Sequence, residues 1–276
     1  MRQVRAFAPA KINLCLHVTG QRADGYHLLD SLVAFAGIGD EISVEPAETL
    51  RLTIDGPMAQ GLAAEGNLVL KAARFLNSAG TAAIRLTKNL PLASGIGGGS
   101  SDAAATLRAL SALWGLALPE PEATAALGAD VPACMIGQAL RLRGIGEGLT
   151  WLPPLPEMDV LLVNPGVAVP TPAVFATLTR RDNPPLPEAL PHWPDAQAFC
   201  QWLQDQRNDL LAPAITIAPV IARVLDTIRQ TRCLFAGMSG SGATCFGLYP
   251  RDGHSADDAH QRVGRPGWWA ATGPLS

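Results

Sequence analysis

Asn89-Leu90-Pro91-Leu92-Ala93-Ser94-Gly95-Ile96-Gly97-Gly98-Gly99-Ser100-Ser101-Asp102, continuing through an alanine-rich run to Gly115, is the stretch from which the rest of the chain is read. Gly95, Gly97, Gly98 and Gly99 open the φ > 0 region and remove the β-carbons that would hold a ligand away. Ser100, Ser101 and Asp102 follow, and the alanines after them propagate as helix. Leu107, Leu110, Leu113 and Trp114 recur at helical spacing, and Gly115 is a C-terminal stop. A glycine loop that empties into a helix start presents free N–H groups and a positive dipole end, which suits phosphate. No lysine follows the glycines, which excludes a Walker A loop. Ser100 stands where a dinucleotide fingerprint needs its third glycine. A flexible linker is the bland alternative, but linkers do not usually lead straight into an amphipathic helix.

Working outward, 276 residues with 48% hydrophobic and 16% charged side chains describe a globular chain with room for one large domain or two ordinary ones. A net charge of −3 gives no footprint for nucleic acid or an anionic membrane, so a nucleotide would have to be held by a local site. The five cysteines (Cys15, Cys134, Cys200, Cys233, Cys245) are scattered without a Cys-x-x-Cys pair, which speaks for a reducing compartment and against structural zinc. The first residues carry no apolar leader and no run approaches membrane-spanning length, so a cytoplasmic location is the expectation.

Lys11 to Val18 alternates, with Ile12, Leu14, Leu16 and Val18 on one face and Lys11, Asn13, Cys15 and His17 on the other. Pro9 is expected at that strand's start. A lysine on the polar side of a strand is usually just solvated. Gly20 to Gly25 reads as a turn, from which Tyr26 and His27 emerge, then Leu28 to Phe35 as a second strand. Tyr26 and His27 could equally roof the core or offer a stacking face and a polar edge to a planar ligand. Short strands are expected over Glu41–Glu45, Leu50–Ile54 and Ala83–Leu86. A helix capped by Asn67 turns Leu68, Ala72, Phe75 and Leu76 inward. Asp130, before Val131-Pro132, reads in isolation as a helix N-cap.

Proline-rich Leu152 to Pro156 places a boundary between domains 1–152 and 158–276. Beyond it come a strand over Val160–Val163, an extended surface loop from Asn183 to Pro194, and a helix from Asp195. A second helix is expected from Ile217 to Arg229, then a second glycine–serine loop from Met238 to Thr244. Interleaved helices and strands support an α/β or α+β class.

Three segments in this order resemble the three motifs of the GHMP small-molecule kinase superfamily: Pro9 to Leu14, Pro91 to Ser101, and Ser239 to Ala243. Gly20 to His27 and Leu127 to Pro132 are similar to signatures of a branch that phosphorylates a CDP-linked polyol in isoprenoid biosynthesis. Gly144 to Glu147, Pro165-Gly166-Val167 with Pro170-Thr171-Pro172, and Asn208-Asp209-Leu210 agree. The resemblance implies an α+β, two-domain fold, with a glycine-loop ATP site in an N-terminal β/α domain and a ferredoxin-like C-terminal α/β domain.

It further implies ATP-dependent phosphorylation of the tertiary 2-hydroxyl of a CDP-linked methylerythritol, on the non-mevalonate route. Lys11 and Asp130 would be the catalytic pair, Asp130 taking or orienting the hydroxyl proton and Lys11 holding Asp130 ionised while meeting phosphoryl charge. Pro91, Leu92, Ala93, Ser94, Gly95, Ile96, Gly97, Gly98, Gly99, Ser100 and Ser101 would wrap the ATP phosphates. Mg²⁺ would accompany ATP with Ser100 or Ser101 near it, the rest of its ligands being open. Tyr26 and His27 would take the cytosine, Phe175 would form a second aromatic wall, and Asn13 would contact the polyol. The implied partner is this small molecule, bound by a monomer or homodimer, with neither nucleic acid nor membrane. The alternatives are a kinase for a mevalonate- or homoserine-like alcohol and a catalytically silent nucleotide sensor. Intact Lys11 and Asp130 disfavour the sensor.

Overall fold

The computed structural model describes residues 3–276. Two long strands open it, β1 (Val4–Gln21) and β2 (His27–Glu45), joined by a turn in which Arg22 N donates to Tyr26 O at 2.8 Å. Pro9 lies inside β1 rather than at its start, and the polar side of β1 is not solvated, since Lys11, Asn13 and His17 are buried. Leu28–Phe35 and Glu41–Glu45, expected as separate strands, are two parts of β2. The glycines between them permit close approach instead of turning the chain. A β-carbon on Gly37 would stand 2.6 Å from Pro274 Cγ, and one on Gly39 would strike Ala8 O.

β3 (Arg51–Asp55) is followed by α1 (Leu68–Leu76), whose first turn is capped by Asn67 accepting from Val69 N at 3.0 Å. Its buried side chains are Val69, Ala72 and Ala73, while Phe75 is exposed. Ala72 is inward as expected and Leu76 packs partly buried against the same core, whereas Phe75 is turned out and Val69 and Ala73 fill the face. β4 (Ala83–Thr87) leads through the glycine loop to α2 (Gly98–Trp114), ended by Gly115 in the left-handed region as expected. A 3₁₀ turn (Pro121–Ala126) and α3 (Val131–Ile136) precede the strands β5 (Leu140–Gly144), β6 (Gly148–Trp151) and β7 (Met158–Asn164).

Next come α4 (Thr171–Ala176), α5 (Ala196–Gln204), α6 (Leu211–Ile217) and α7 (Val220–Arg229). The helix expected from Ile217 to Arg229 begins three residues later because Pro219 separates it from α6, which the sequence reading did not include. β8 (Phe235–Met238) and β9 (Cys245–Pro250) flank the second glycine–serine loop, and α8 (Ser255–Val263) and β10 (Trp269–Leu275) complete the chain. Trp269 thus begins a strand.

The described residues form two compact units that interleave in sequence: residues 3–10, 39–92 and 97–137, and residues 11–38, 93–96 and 138–276. Leu152–Pro156 lies inside the second. In the first, Glu41–Glu45 of β2 pairs antiparallel with β4, which pairs parallel with β3. Their apolar face (Ile42, Val44, Ile84, Leu86) is covered by Val69 and Ala73 of α1 and Ala105, Ala109 and Leu110 of α2. In the second, β10, β7, β9 and β8 form an antiparallel sheet packed on Ile221, Val224 and Ile228 of α7 and Ala256, Ala259 and Val263 of α8. Leu29–Val33 of β2 pairs with β5, which forms a hairpin with β6. No helix among the described residues is long and apolar enough to cross a membrane, and the five cysteines are free thiols.

Candidate active site

In the first unit the glycine loop delivers α2 earlier than Ser100. Gly97 is the N-cap residue in the left-handed region, without a side-chain cap, and Gly98 and Gly99 form the first helical turn. Of the loop's four glycines only Gly95 and Gly97 use positive φ, while Ala93 adopts φ 47° despite its β-carbon. The first N–H groups of a helix lack intrahelical acceptors, so this 17-residue helix offers an anion-binding start. Ser101 is spent inside the fold: its hydroxyl donates to Pro9 O at 2.6 Å and lies 3.4 Å from Cys134 Sγ. Ser100 is the half-buried hydroxyl of the pair.

Beneath that first turn sits a buried charge cluster. Lys88 Nζ donates to Asp40 Oδ2 at 2.5 Å and to Asp102 Oδ2 at 2.7 Å, and a β-carbon on Gly98 would stand 3.1 Å from the same nitrogen. Asp40 Oδ1 accepts from Asn89 N at 2.6 Å and Leu90 N at 2.8 Å, fixing the loop's entry. Burial pushes the Asp102 carboxyl up to about 7 and Asp40 adds to this, against the pull of Lys88. Burial alone would lower Lys88, but the Asp102 and Asp40 carboxylates outweigh it and raise the ammonium above its ordinary value. Asp130 occupies the N-cap position of α3 with a helical backbone (φ −88°, ψ −12°), yet its side chain makes no capping hydrogen bond. The capping role expected from its position is therefore not one it performs.

In the second unit, β1 carries Lys11, 4% exposed, whose N–H donates to Ile96 O at 2.9 Å. Asn13 is buried beside it, its Nδ2 donating to Ser31 Oγ at 2.9 Å while Ser31 donates to Cys15 O at 2.6 Å. The Asn13 amide is thus oriented by Ser31. Gly95 (φ 77°) packs against the Met238–Thr244 loop so closely that a β-carbon would lie 2.5 Å from Ser239 O and 2.8 Å from Gly242 O. Gly95→Ala should cost on the order of 3 kcal/mol from left-handed strain plus overpacking, read by urea unfolding. An unchanged midpoint would mean that this approach is not a feature of the fold.

Also in this unit, His27 stacks on Phe175 of α4, ring centroids 4.6 Å apart and planes 24° apart. His27 Nε2 is buried with no hydrogen-bond partner, and burial, then Arg181, holds the imidazole below its ordinary pKa. A neutral ring with an unmet nitrogen, backed by an aromatic wall, fits a planar polar ligand. Tyr26, 62% exposed, precedes it at the turn. Thr171 at the start of α4 exchanges a 2.8 Å hydrogen bond with Ser241. Sequence reasoning had singled out Tyr26, His27, Phe175, Lys11 and Asn13, all of which fall in this unit, whereas Asp130 falls in the other. It missed Lys88, Asp40 and Ser31, and read Asp102 only as part of the helix start.

Two family descriptions match the chain in order: GHMP kinases N terminal domain over residues 67–138 and GHMP kinases C terminal over residues 188–267. A 4-diphosphocytidyl-2-C-methyl-D-erythritol kinase of Ruegeria pomeroyi is 61% identical over 274 residues, 98% of each chain. One of Cereibacter sphaeroides is 58% identical over 271 residues, covering 96% of this chain and 97% of the relative. A crystal structure of 4-(cytidine 5'-diphospho)-2C-methyl-D-erythritol kinase superposes with a TM-score of 0.81 at 33% identity, over 99% of both chains. A mevalonate kinase crystal structure superposes with a TM-score of 0.65 at 11% identity, a likeness of fold alone. With both superfamily domains in sequence and relatives more than half identical from end to end, the chain belongs to the 4-diphosphocytidyl-2-C-methyl-D-erythritol kinases of the GHMP kinase superfamily.

Proposed function

We propose that the chain transfers the γ-phosphoryl group of ATP to the tertiary 2-hydroxyl of 4-diphosphocytidyl-2-C-methyl-D-erythritol, in the cytoplasm, on the non-mevalonate isoprenoid route. The observation that carries this reading is the 61% identity to a relative of that name over 98% of both chains.

In this reading Pro91–Ser101 and the α2 start hold the ATP phosphates through backbone N–H groups. Mg²⁺ bound with ATP supplies charge neutralisation on the phosphates, with Ser100 the hydroxyl nearest in role. Asp130 receives or orients the proton of the acceptor hydroxyl. Its side chain does not cap α3, so its place at the helix start does not by itself account for it. Lys11 meets the charge of the transferring group from a strand whose backbone is tied to Ile96, so the ammonium's base is fixed. Phosphoryl transfer asks for little more than positioning and electrostatics. The His27–Phe175 stack with its unmet Nε2 takes the cytosine, Tyr26 covers it from the turn, and Asn13 meets the polyol.

A coupled ADP-release assay against the CDP-linked polyol, mevalonate and homoserine tests the reading. Activity on the CDP-linked polyol alone is expected. Turnover of mevalonate or homoserine instead would transfer the reading to the alternative acceptors, and ATP binding without turnover would leave a nucleotide sensor. Tyr26→Ala should raise KM for the cytidine substrate about tenfold, the worth of one base–aromatic stack, and leave KM for ATP within about twofold. An equal rise in both would remove Tyr26 from the cytosine site.

A further inference from the structure

The Asn208-Asp209-Leu210 segment, which the reading above leaves without a role, is built into the fold in an unusual way. It lies against β1 as an isolated bridge: Leu16 N donates to Arg207 O and Asp209 N to Leu16 O, both at 2.9 Å, and Val18 N donates to Asp209 Oδ2 at 2.7 Å. From this anchored position Asn208 Nδ2 donates to two carbonyls of the second glycine–serine loop, Met238 O at 2.8 Å and Gly240 O at 2.9 Å. Its Oδ1 accepts from Leu210 N at 3.0 Å. Only a carboxamide offers two protons from one atom while accepting on another.

The two carbonyls bracket Ser239, and Ser239 is the junction. Its hydroxyl accepts from Asn13 N at 3.0 Å and donates to Gly95 O at 2.8 Å. Ser239 therefore fastens the glycine loop's Ala93–Ile96 limb to the strand that carries Lys11 and Asn13. Gly240 (φ 54°) completes the contact, since a β-carbon there would stand 3.0 Å from Gly95 O.

We propose that Asn208 is a positioning residue for phosphoryl transfer: its carboxamide holds the loop that seats Ser239, and Ser239 fixes the Gly95 limb of the phosphate loop against β1. This rests on the kinase reading above. Asn208 touches no reacting group in this scheme; it acts through Ser239. Turnover should be more sensitive to Asn208 than acceptor binding is, because small displacements of a donor loop misalign the transfer without emptying the acceptor site.

The test is a cycle of Asn208→Ala, Ser239→Ala and the double variant, with Asn208→Asp as the isosteric change that turns a donor into an acceptor facing two carbonyls. ADP release gives kcat and both KM values, and calorimetry gives affinity for a non-hydrolysable ATP analogue. Asn208→Asp should lower kcat by about tenfold or more with KM for the CDP-linked polyol within about twofold. The double alanine variant should lose no more in kcat than the worse single one, because both act on one link. Wild-type kcat in Asn208→Ala, or additive losses in the cycle, would overturn the proposal. If Asn208→Asp is recovered unfolded, the alanine cycle decides. Should the wild type bind the ATP analogue but turn over none of the acceptors, the kinase reading fails by itself. The same cycle on analogue affinity then decides the clasp, non-additive weakening supporting it and unchanged affinity overturning it.

Discussion

Asp130→Asn is expected to lower kcat by about a hundredfold to ten-thousandfold while the affinity for ATP stays near that of the wild type. That range is what a positioned group contributes by accepting or orienting a proton in a transition state. The substitution keeps the side chain's size and removes its basicity. A structural reading of the same residue predicts something else. An aspartate that caps a helix loses about 1 kcal/mol on replacement by alanine, and asparagine caps nearly as well. Asp130 makes no capping bond to α3, so loss of a helix cap is not what either substitution removes, and Asp130→Asn, which keeps the shape of the side chain, should lose turnover by far more than any change in its melting accounts for. ADP-release kinetics beside thermal unfolding separate the two accounts. Full activity in Asp130→Asn removes the residue from the mechanism, and a loss of activity matched by a loss of fold returns it to a structural role.

What could be read in the chain before its fold divides along a physical line. Features encoded by neighbouring residues were legible: the glycine loop running into α2, the Asn67 cap, the helix start at Asp195, and the stop at Gly115. Each is a local conformational preference written in three or four adjacent positions. Pro219, which parts α6 from α7, is a local signal that was passed over, and the other errors came where tertiary contact overrode such a preference. Gly37 and Gly39 carry a turn signal, but they serve the close packing of Pro274 and Ala8, so β2 runs through them. Asn183–Pro194 was rightly read as extended, yet it is pinned rather than loose. Arg141, ion-paired to Asp30 through Nη2 at 2.7 Å, donates to Leu186 O, Pro187 O and Glu188 O. The site divides in the same way. Lys11, Asp130, Tyr26 and His27 carried motif signals, whereas Asp40, Lys88 and Asp102 lie far apart in sequence and meet only in the fold. An aspartate inside an alanine-rich helix was the one available hint, since such a residue on a buried face needs a partner.

The largest effect on stability should come from that cluster. Lys88 is 3% exposed and is the shared donor to two carboxylates, so Lys88→Met keeps the side chain's bulk while leaving Asp40 and Asp102 buried without their cation. Removing one partner from a buried ion pair costs about 3–5 kcal/mol, because the remaining charge is neither solvated nor compensated. The backbone bonds from Asn89 and Leu90 to Asp40 Oδ1 soften the loss at that residue but do nothing for Asp102, whose Oδ1 is buried without a partner. The pH dependence has a definite sign. Asp102 already sits above its ordinary value in the fold through burial, and losing the ammonium raises it further. A carboxyl with a higher pKa folded than unfolded binds protons more tightly in the native state, so stability rises as pH falls and is lost as pH rises through the folded value. The deficit of Lys88→Met relative to the wild type should therefore be largest at alkaline pH and shrink as pH falls through the variant's raised Asp102 value towards about 7, where Asp102 of the wild type takes up its own proton. Adding Asp102→Asn should recover part of it at alkaline pH, because one of the two uncompensated charges is gone. Urea unfolding of the three proteins across that range measures all of this. A deficit that does not change with pH would mean that Lys88 acts through packing of its stem and not through its charge.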